Sequence, residues 1–358
     1  MEDLAIITLC GFKERGRLVE DHIRKMRKAP KANYVRNITQ TRFGNGEAKL
    51  MLNESVRGRD VYILADVCNY GCTYKMFGSD NRMSPDDHFQ DIKRAVSAAS
   101  WRAKRITVIM PFLYAGRQHK RMGRESLDCA VALQELESMG VDRIITFDAH
   151  DPHVVNSIPL SSFDNMTPIS AILERFLRDN KGRVNKDNTI VVSPDYGAMG
   201  RAIKVATVLS LDVGVVYKRR DYSKIVGGKN PILGFAYSGP EVRGKSAIVV
   251  DDMIASGESI LEVAKHLKQS GVGDITILTS FALFNDGTED FDKLYRDGII
   301  KKVYSTNLSY VSDEIKSKEW FVQVDLTRDI AVIIDALNDD KSVGRFIDDF
   351  SEVKKLLS

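Results

Sequence analysis

The sharpest chemical signal in this chain is a pair of adjacent acids where an apolar run gives out. Residues 247–259 read AIVVDDMIASGES: four apolar residues, then Asp251 and Asp252, then the small-residue stretch Ala255, Ser256, Gly257, Glu258 and Ser259 before a helical period begins. Two like charges at a buried strand end are costly unless a ligand shares them. Vicinal sugar hydroxyls or a metal ion are suitable ligands. Backbone N–H groups at the start of the following helix suit a phosphate, the serine hydroxyls add donors, and Gly257 permits close backbone approach. Ser and Gly also serve as plain caps in any strand–turn–helix, but the acid pair tips the reading toward a ligand site.

Other candidates are scattered along the chain. His150 lies in a polar loop beside Asp148, near Asp151 and His153. A lone histidine is more often a satisfied core residue, and His153 reads as surface. A neutral imidazole at His150, with Asp195 of the SPDYG run at 193–197, is suited to orienting Mg2+, a hard cation that prefers oxygen and keeps waters and substrate phosphates. Arg117 and Gln118 follow the apolar run Ile106–Gly116 and offer a forked guanidinium and an amide, suited to phosphate oxygens. Lys120 and Arg121 lengthen that basic run. Lys218, Arg219 and Arg220 form a second one, directly ahead of the polar stretch Asp221–Asn230 with its Gly227 and Gly228; alone, such a triplet reads as a solvated patch. Residues 239–246, GPEVRGKS, match the phosphate-loop pattern GxxxxGK[ST] in full. A working loop of that kind opens a helix, whereas here a strand follows at once and Pro240 interrupts the interior, so the match is rejected.

The elements that must position these residues alternate. Strands are expected at Leu4–Leu9, Val61–Ala65, Ile106–Met110, Ile144–Phe147, Thr189–Val192, Val213–Val216, Ala247–Val250 and Ile275–Leu278. Helices are expected at Arg15–Met26, Asp87–Ala99, Ser126–Ser138, Pro168–Arg178, Tyr196–Thr207, Ser259–Ser270 and Thr327–Leu337. That order argues for βαβ units and an α/β fold with parallel sheets, whose ligands gather where strands end. Asn69–Pro85 reads as a long polar loop.

Composition bounds the rest. A chain of 358 residues suggests two domains. With 52 basic against 49 acidic residues the net charge is only +3, too small to argue for nucleic acid. No apolar stretch approaches the roughly 18–20 residues of a membrane span, and the acidic start Met1–Glu2–Asp3 is unlike a signal peptide. Four cysteines at 10, 68, 72 and 129 contain no CxxC pair. Reduced thiols and a cytoplasmic setting are expected.

The 251–259 segment resembles the ribose-5-phosphate loop shared by type I phosphoribosyltransferases and the ribose-phosphate diphosphokinases (PRPP synthetases). Further runs favour the second group. Residues 42–47, RFGNGE, are similar to that family's FxDGE adenine loop. Residues 104–120, KRITVIMPFLYAGRQHK, resemble its strand and RQD run, and 142–150, DRIITFDAH, its DRVITxDLH. SPDYG and the Lys218–Arg220 triplet have counterparts too. Matches in this order span roughly residues 40 to 350. The departures are Asn45 for the adenine-loop aspartate, His119 for the aspartate of RQD, Met122 where an acid is often found, Ala255 for Asp and Glu258 for Gly in the ribose-phosphate loop. An insertion of about a dozen residues or more falls within Asn69–Pro85.

The resemblance implies two tandem phosphoribosyltransferase-like domains, each a mainly parallel sheet flanked by helices. Residues 1–165 form the ATP side and 166–325 carry the ribose 5-phosphate loop, with 326–358 packing back on the first. It implies a Mg2+-dependent kinase-type transferase of nucleotide biosynthesis, converting ATP and ribose 5-phosphate to PRPP and AMP. Phe43, Asn45, Glu47, Arg117, Gln118, Lys120 and His150 bind ATP, some of them across a subunit interface. Asp251, Asp252 and Ala255 to Ser259 bind ribose 5-phosphate, and His150 and Asp195 the metal. Lys218 and Arg220 stabilise the transition state from a closing lid. A homo-oligomer of dimers, up to a hexamer, is implied, with no nucleic acid or membrane partner. Two alternatives stay open: a type I phosphoribosyltransferase, and a catalytically silent regulatory paralogue, for which the altered Asn45, His119, Ala255 and Glu258 speak.

Overall fold

The computed structural model describes residues 3–121, 123–220, 223 and 232–357, the backbone alone at 218–220, 232 and 233. Two compact units divide the chain. The first comprises Met1–Pro168, Asn307–Tyr310 and Asp325–Asp349; the second comprises Ile169–Thr306, Val311–Val324 and Phe350–Ser358.

In the first unit, β1 (Leu4–Thr8) is followed by α1 (Lys13–Met26) and a hairpin of β2 (Ile38–Arg42) and β3 (Ala48–Leu52). Then come β4 (Asp60–Leu64), a second hairpin of β5 (Thr73–Met76) and β6 (Ser79–Arg82), α2 (Pro85–Ala99), β7 (Arg105–Ile109), α3 (Asp128–Ser138), β8 (Arg143–Phe147) and β9 (Ser162–Met166). The main sheet has the order β1-β4-β7-β8-β9, all parallel. Every residue of β1 and β4 is buried, as expected of strands covered on both faces. Ile7, Ile63, Val108 and Ile144 meet Phe89, Ile92 and Val96 of α2 and Leu133 and Leu136 of α3 in one core.

The second unit contains α4 (Ile169–Asp179), β10 (Thr189–Ser193), α5 (Met199–Leu209), β11 (Asp212–Arg220), β12 (Ile232–Ser238), β13 (Ser246–Ile254) and α6 (Glu258–Gln269). It continues with β14 (Ile275–Ala282), α7 (Glu289–Arg296), β15 (Lys302–Thr306), α8 (Asp313–Lys316) and β16 (Phe321–Val324). Its seven strands take the order β12-β11-β10-β13-β14-β15-β16, parallel except for the edge strand β12. Near the C-terminus, α9 (Thr327–Asn338) and α10 (Arg345–Asp348) belong to the first unit and α11 (Ser351–Leu357) to the second. α9 packs on α1, where Arg27 Nε donates to Asp335 Oδ1 at 2.6 Å.

Several local expectations change. Asn69–Pro85 is not one open loop: it contains the β5–β6 hairpin and ends in a capping box. There Ser84 Oγ accepts the Asp87 amide, Asp87 accepts the Ser84 amide, and Pro85 opens α2. The strand expected at Val213–Val216 continues to Arg220, so the backbone of Lys218–Arg220 lies within β11 and pairs with β12 rather than following the strand. The lid expected over Asp221–Asn230 lies outside the described residues apart from Ser223, as does Met122. Ser246 opens β13, so the GxxxxGKS match does lead into a strand.

Candidate active site

In the second unit, β13 carries Asp251 and Asp252 to the carboxyl end of the sheet. Asp252 is only 2% exposed, and Arg201 Nη2 from α5 approaches its Oδ2 at 3.8 Å. Asp251 Oδ1 accepts the Asp252 amide at 2.9 Å. Burial, then the charge of Asp252, and more weakly that of Asp195, hold the Asp251 carboxyl well above the ordinary carboxylate range. Asp195 comes from the turn between β10 and α5. It is exposed, its Oδ1 accepts the Ala198 amide at 2.9 Å, and its backbone oxygen accepts Ser193 Oγ at 2.6 Å.

The loop after the acids is shaped by Gly257, the residue immediately before α6. Its φ is +90°, and a Cβ there would stand 2.5 Å from a ring carbon of Phe291. Only glycine accepts both conditions. Behind the loop, the amides of Leu283 and Asn285 donate to the carbonyls of Ile254 and Ala255, each at 2.8 Å. Glu258 and Ser259 form the first turn of α6 rather than loop. A helix start presents N–H groups and the positive end of the helix dipole, which suits an anion. Glu258, the awkward residue for a phosphate loop, is exposed and lines a pocket with Ser256 of the same loop and with Glu262, Lys265, Asp286 and Glu289. Those acids disfavour phosphate in that pocket.

The nucleotide-side candidates lie on the first unit. Phe43, Asn45 and Glu47 occupy the turn between β2 and β3, closed by amide bonds from Phe43 to the Glu47 carbonyl (2.8 Å) and from Gly46 to the Phe43 carbonyl (2.9 Å). Asn45 is spent locally: its Nδ2 donates to Glu47 Oε2 at 2.8 Å and its Oδ1 accepts the Glu47 amide at 3.1 Å. Arg42 anchors the turn to α2 through Asp91 at 2.8 Å.

Arg117, Gln118 and Lys120 are exposed on a turn-rich segment. β7 ends at Ile109, so Arg117 does not directly follow the strand; a turn with Ala115 at φ +53° intervenes. His150 follows β8, in a loop tied to β9 by the Asp148 amide on the Met166 carbonyl and the Ala149 amide on Asn165 Oδ1. The His119 and His150 rings meet edge-on with centroids 5.4 Å apart, which brings the 117–120 segment to His150. His119 Nε2 is 3.3 Å from Asp151 Oδ2, and Asp151 Oδ1 also takes His153 Nδ1 at 2.8 Å.

Sequence reasoning missed Arg201, the His119–Asp151 contact and the docking of the β5–β6 hairpin on the Phe43 turn. Arg201 left one signal, a cation in the otherwise largely apolar run of α5. The other two contacts join segments distant in sequence and left none. Lys218 and Arg220 are placed by backbone only.

Two family models match in tandem: "N-terminal domain of ribose phosphate pyrophosphokinase" over residues 18–140 and "Phosphoribosyl transferase domain" over residues 162–325. The ribose-phosphate pyrophosphokinase of Mycoplasma pneumoniae is 29% identical over 275 residues, covering 75% of each chain. That of Vibrio cholerae is 28% identical over 311 residues, covering 86% of this chain and 89% of the relative. Among solved structures, the phosphoribosylpyrophosphate synthetase of Mycobacterium smegmatis shares the fold, with a TM-score of 0.74 at 24% identity, over 94% of this chain and 99% of that one. With both domains matched in order and such relatives along most of its length, the chain belongs to the ribose-phosphate pyrophosphokinase (diphosphokinase) family, enzymes of PRPP synthesis.

Proposed function

We propose that this enzyme transfers the β,γ-diphosphoryl group of Mg–ATP to the 1-hydroxyl of ribose 5-phosphate, forming PRPP and releasing AMP. The observation that carries the reading is the run of Asp251 and Asp252 into the Gly257-capped start of α6. The anomeric oxygen attacks the β-phosphorus and loses its proton, and the bond to the α-phosphate breaks with its electron pair on AMP. No covalent enzyme intermediate is needed. Catalysis is positioning and charge neutralisation.

Asp251 and Asp252 accept hydrogen bonds from the ribose hydroxyls, and Ala255, Ser256, Gly257, Glu258 and Ser259 hold the 5-phosphate through their backbone and serine hydroxyls. Phe43, Asn45, Glu47, Arg117, Gln118, Lys120 and His150 take ATP. Lys218 and Arg220 offset the charge that develops on the transferred group. Mg2+ fits the donor chemistry, because an imidazole and a carboxylate leave the other positions to water and phosphate oxygens. His150 and Asp195 are its proposed ligands. Among the described residues, no three or more His, Cys, Asp or Glu side chains gather as a metal cage. Bound Mg2+ supplies neutralisation of the phosphate charge. Cytoplasmic homo-oligomers, dimers that assemble further to a hexamer, complete the reading. Among the described residues no helix is long and apolar enough to cross a membrane.

The test is phosphorus NMR of the protein with ribose 5-phosphate, ATP and Mg2+. AMP and PRPP are expected in equal amounts, and Lys218→Ala is expected to lose both. Neither product with any of several nucleotide donors, while ribose 5-phosphate still binds, would make the silent regulatory paralogue the better reading.

A further inference from the structure

The hairpin β5–β6 turns on Phe77 and Gly78, both with positive φ (+47° and +81°). A two-residue turn with both central residues left-handed normally uses Asn, Asp or Gly. A bulky aromatic at its first position is a genuine backbone outlier. Phe77 is also 81% exposed, so its ring gains little from packing. Strain and exposure together at one residue point to function rather than folding.

The tip is held in one place. The Phe77 amide donates to the Gly44 carbonyl at 2.7 Å. Met76 fills the space over Gly46, where a Cβ would lie 2.8 Å from its sulfur. The Arg42 guanidinium, already bonded to Asp91, lies 5.2 Å from the centre of the Tyr74 ring. The hairpin is therefore docked on the turn that carries Phe43, itself 46% exposed. Two exposed aromatic residues stand on two touching turns, with the amide of Asn45 and the carboxylate of Glu47 beside them. Aromatic faces with nearby polar groups are how proteins hold a single base. Two rings amid polar neighbours make too small an apolar surface for a protein interface.

We propose that Phe77 is a second aromatic contact for the base of the diphosphoryl donor, joined to Phe43 by the β5–β6 hairpin, and that it tunes which bases are accepted. The inference rests on the reading of residues 42–47 as the nucleotide loop.

The test uses Phe77→Asn, Phe77→Ala and Phe77→Trp in the full-length protein. Asn suits the left-handed position, so Phe77→Asn is expected to raise Tm while raising the KM for ATP about tenfold, with kcat within twofold. A tenfold change is about 1.4 kcal/mol, on the scale of one base–aromatic stack. Phe77→Ala is expected to match that KM and narrow the preference between ATP and CTP as donors; Phe77→Trp is expected to restore both. A merely structural Phe77 predicts that Asn improves stability and leaves KM alone, and that result overturns the proposal. Calorimetric titration of Mg–ATP into wild type and Phe77→Ala separates the two readings. If the wild type makes no PRPP, the proposed function fails, but a tenfold affinity loss in the variant still supports Phe77. Equal affinities, or no ATP binding by the wild type, overturn the role of Phe77.

Discussion

The amide of Asp252 donates to the carboxylate of its neighbour Asp251 at 2.9 Å, so two adjacent acids at one strand end are tied directly to each other. Burial first, then the neighbouring charge, raises Asp251 well above the ordinary carboxylate value of 3.8. A carboxyl raised in the folded state holds a proton that the unfolded chain has released. Its contribution to stability is therefore greatest below the unfolded value and declines as pH rises toward the folded one. Near neutral pH Asp251 is therefore a liability to folding, because the buried group favours a proton that the unfolded chain has released. Asp251→Asn keeps the acceptor for the Asp252 amide and removes the charge. Its Tm is expected above wild type at pH 7, with the gap narrowing toward pH 4, while PRPP formation falls at least about 100-fold. Calorimetry across that range checks the sign, and a lower Tm at pH 7 sinks the electrostatic account.

Gly257 is the second place where function and backbone meet. An added methyl group meets Phe291 at 2.5 Å and sits on a φ of +90°. Strain and overpacking together make Gly257→Ala cost about 2–4 kcal/mol. Denaturant titration measures that loss. Because the loop moves with it, the KM for ribose 5-phosphate is expected to rise more than the KM for ATP. Equal shifts in both would show that the loop does not hold the sugar phosphate.

The buried strands were legible because fully covered parallel strands are largely apolar and β-branched, as Leu4–Thr8 and the first half of Ile275–Ala282 show. The two hairpins were not. Ile38–Arg42 (ITQTR) and Ser79–Arg82 (SDNR) are partly exposed and polar, with no apolar run to mark them. β9, β12, β15 and β16 also escaped, being short, polar in part or at a sheet edge. The acid pair and the Gly257 loop could be read because strand, turn and helix are contiguous. Arg201 on Asp252, His119 on Asp151 and Phe77 on Gly44 could not, because each partner comes from another element and only folding brings them together.

Asp60 shows the same rule in the core of the first unit. It is fully buried, bonded to Arg105 at 2.6 and 3.1 Å, and accepts Tyr62 Oη and Asn338 Nδ2, each at 3.0 Å. One carboxylate thus ties β4 to β7 and α9. Arg105→Ala leaves that charge buried without its cation, and a loss of about 3 kcal/mol is expected. The double variant Asp60→Asn with Arg105→Ala is expected to lose less than the two single losses added together, since neutral Asn needs no cation. Strict additivity in denaturant titrations would show that the pair does not act as a unit.

The Cys72 thiol hydrogen-bonds the sulfur of Cys10 at the foot of the β5–β6 hairpin, where Asn69 Nδ2 also donates to the Gly11 carbonyl at 2.9 Å. That bond is the main reason the Cys10 thiol is pulled down to about 6; burial and Asp91 oppose it, and Lys13 and Arg42 assist. Cys72, as the donor, is pushed up, and burial raises Cys129 to about 11. The thiolate is the nucleophile, and Cys10 is partly exposed. At pH 7.5 iodoacetamide is therefore expected to modify Cys10 ahead of the other three cysteines, as peptide mass spectrometry reads. Its rate is expected to reach half-maximum below the ordinary thiol range and to flatten above it, because the thiolate is complete there. Cys72→Ala removes the donor and should move that midpoint up. A wild-type midpoint above pH 8 would mean that the two sulfurs do not share a proton in solution.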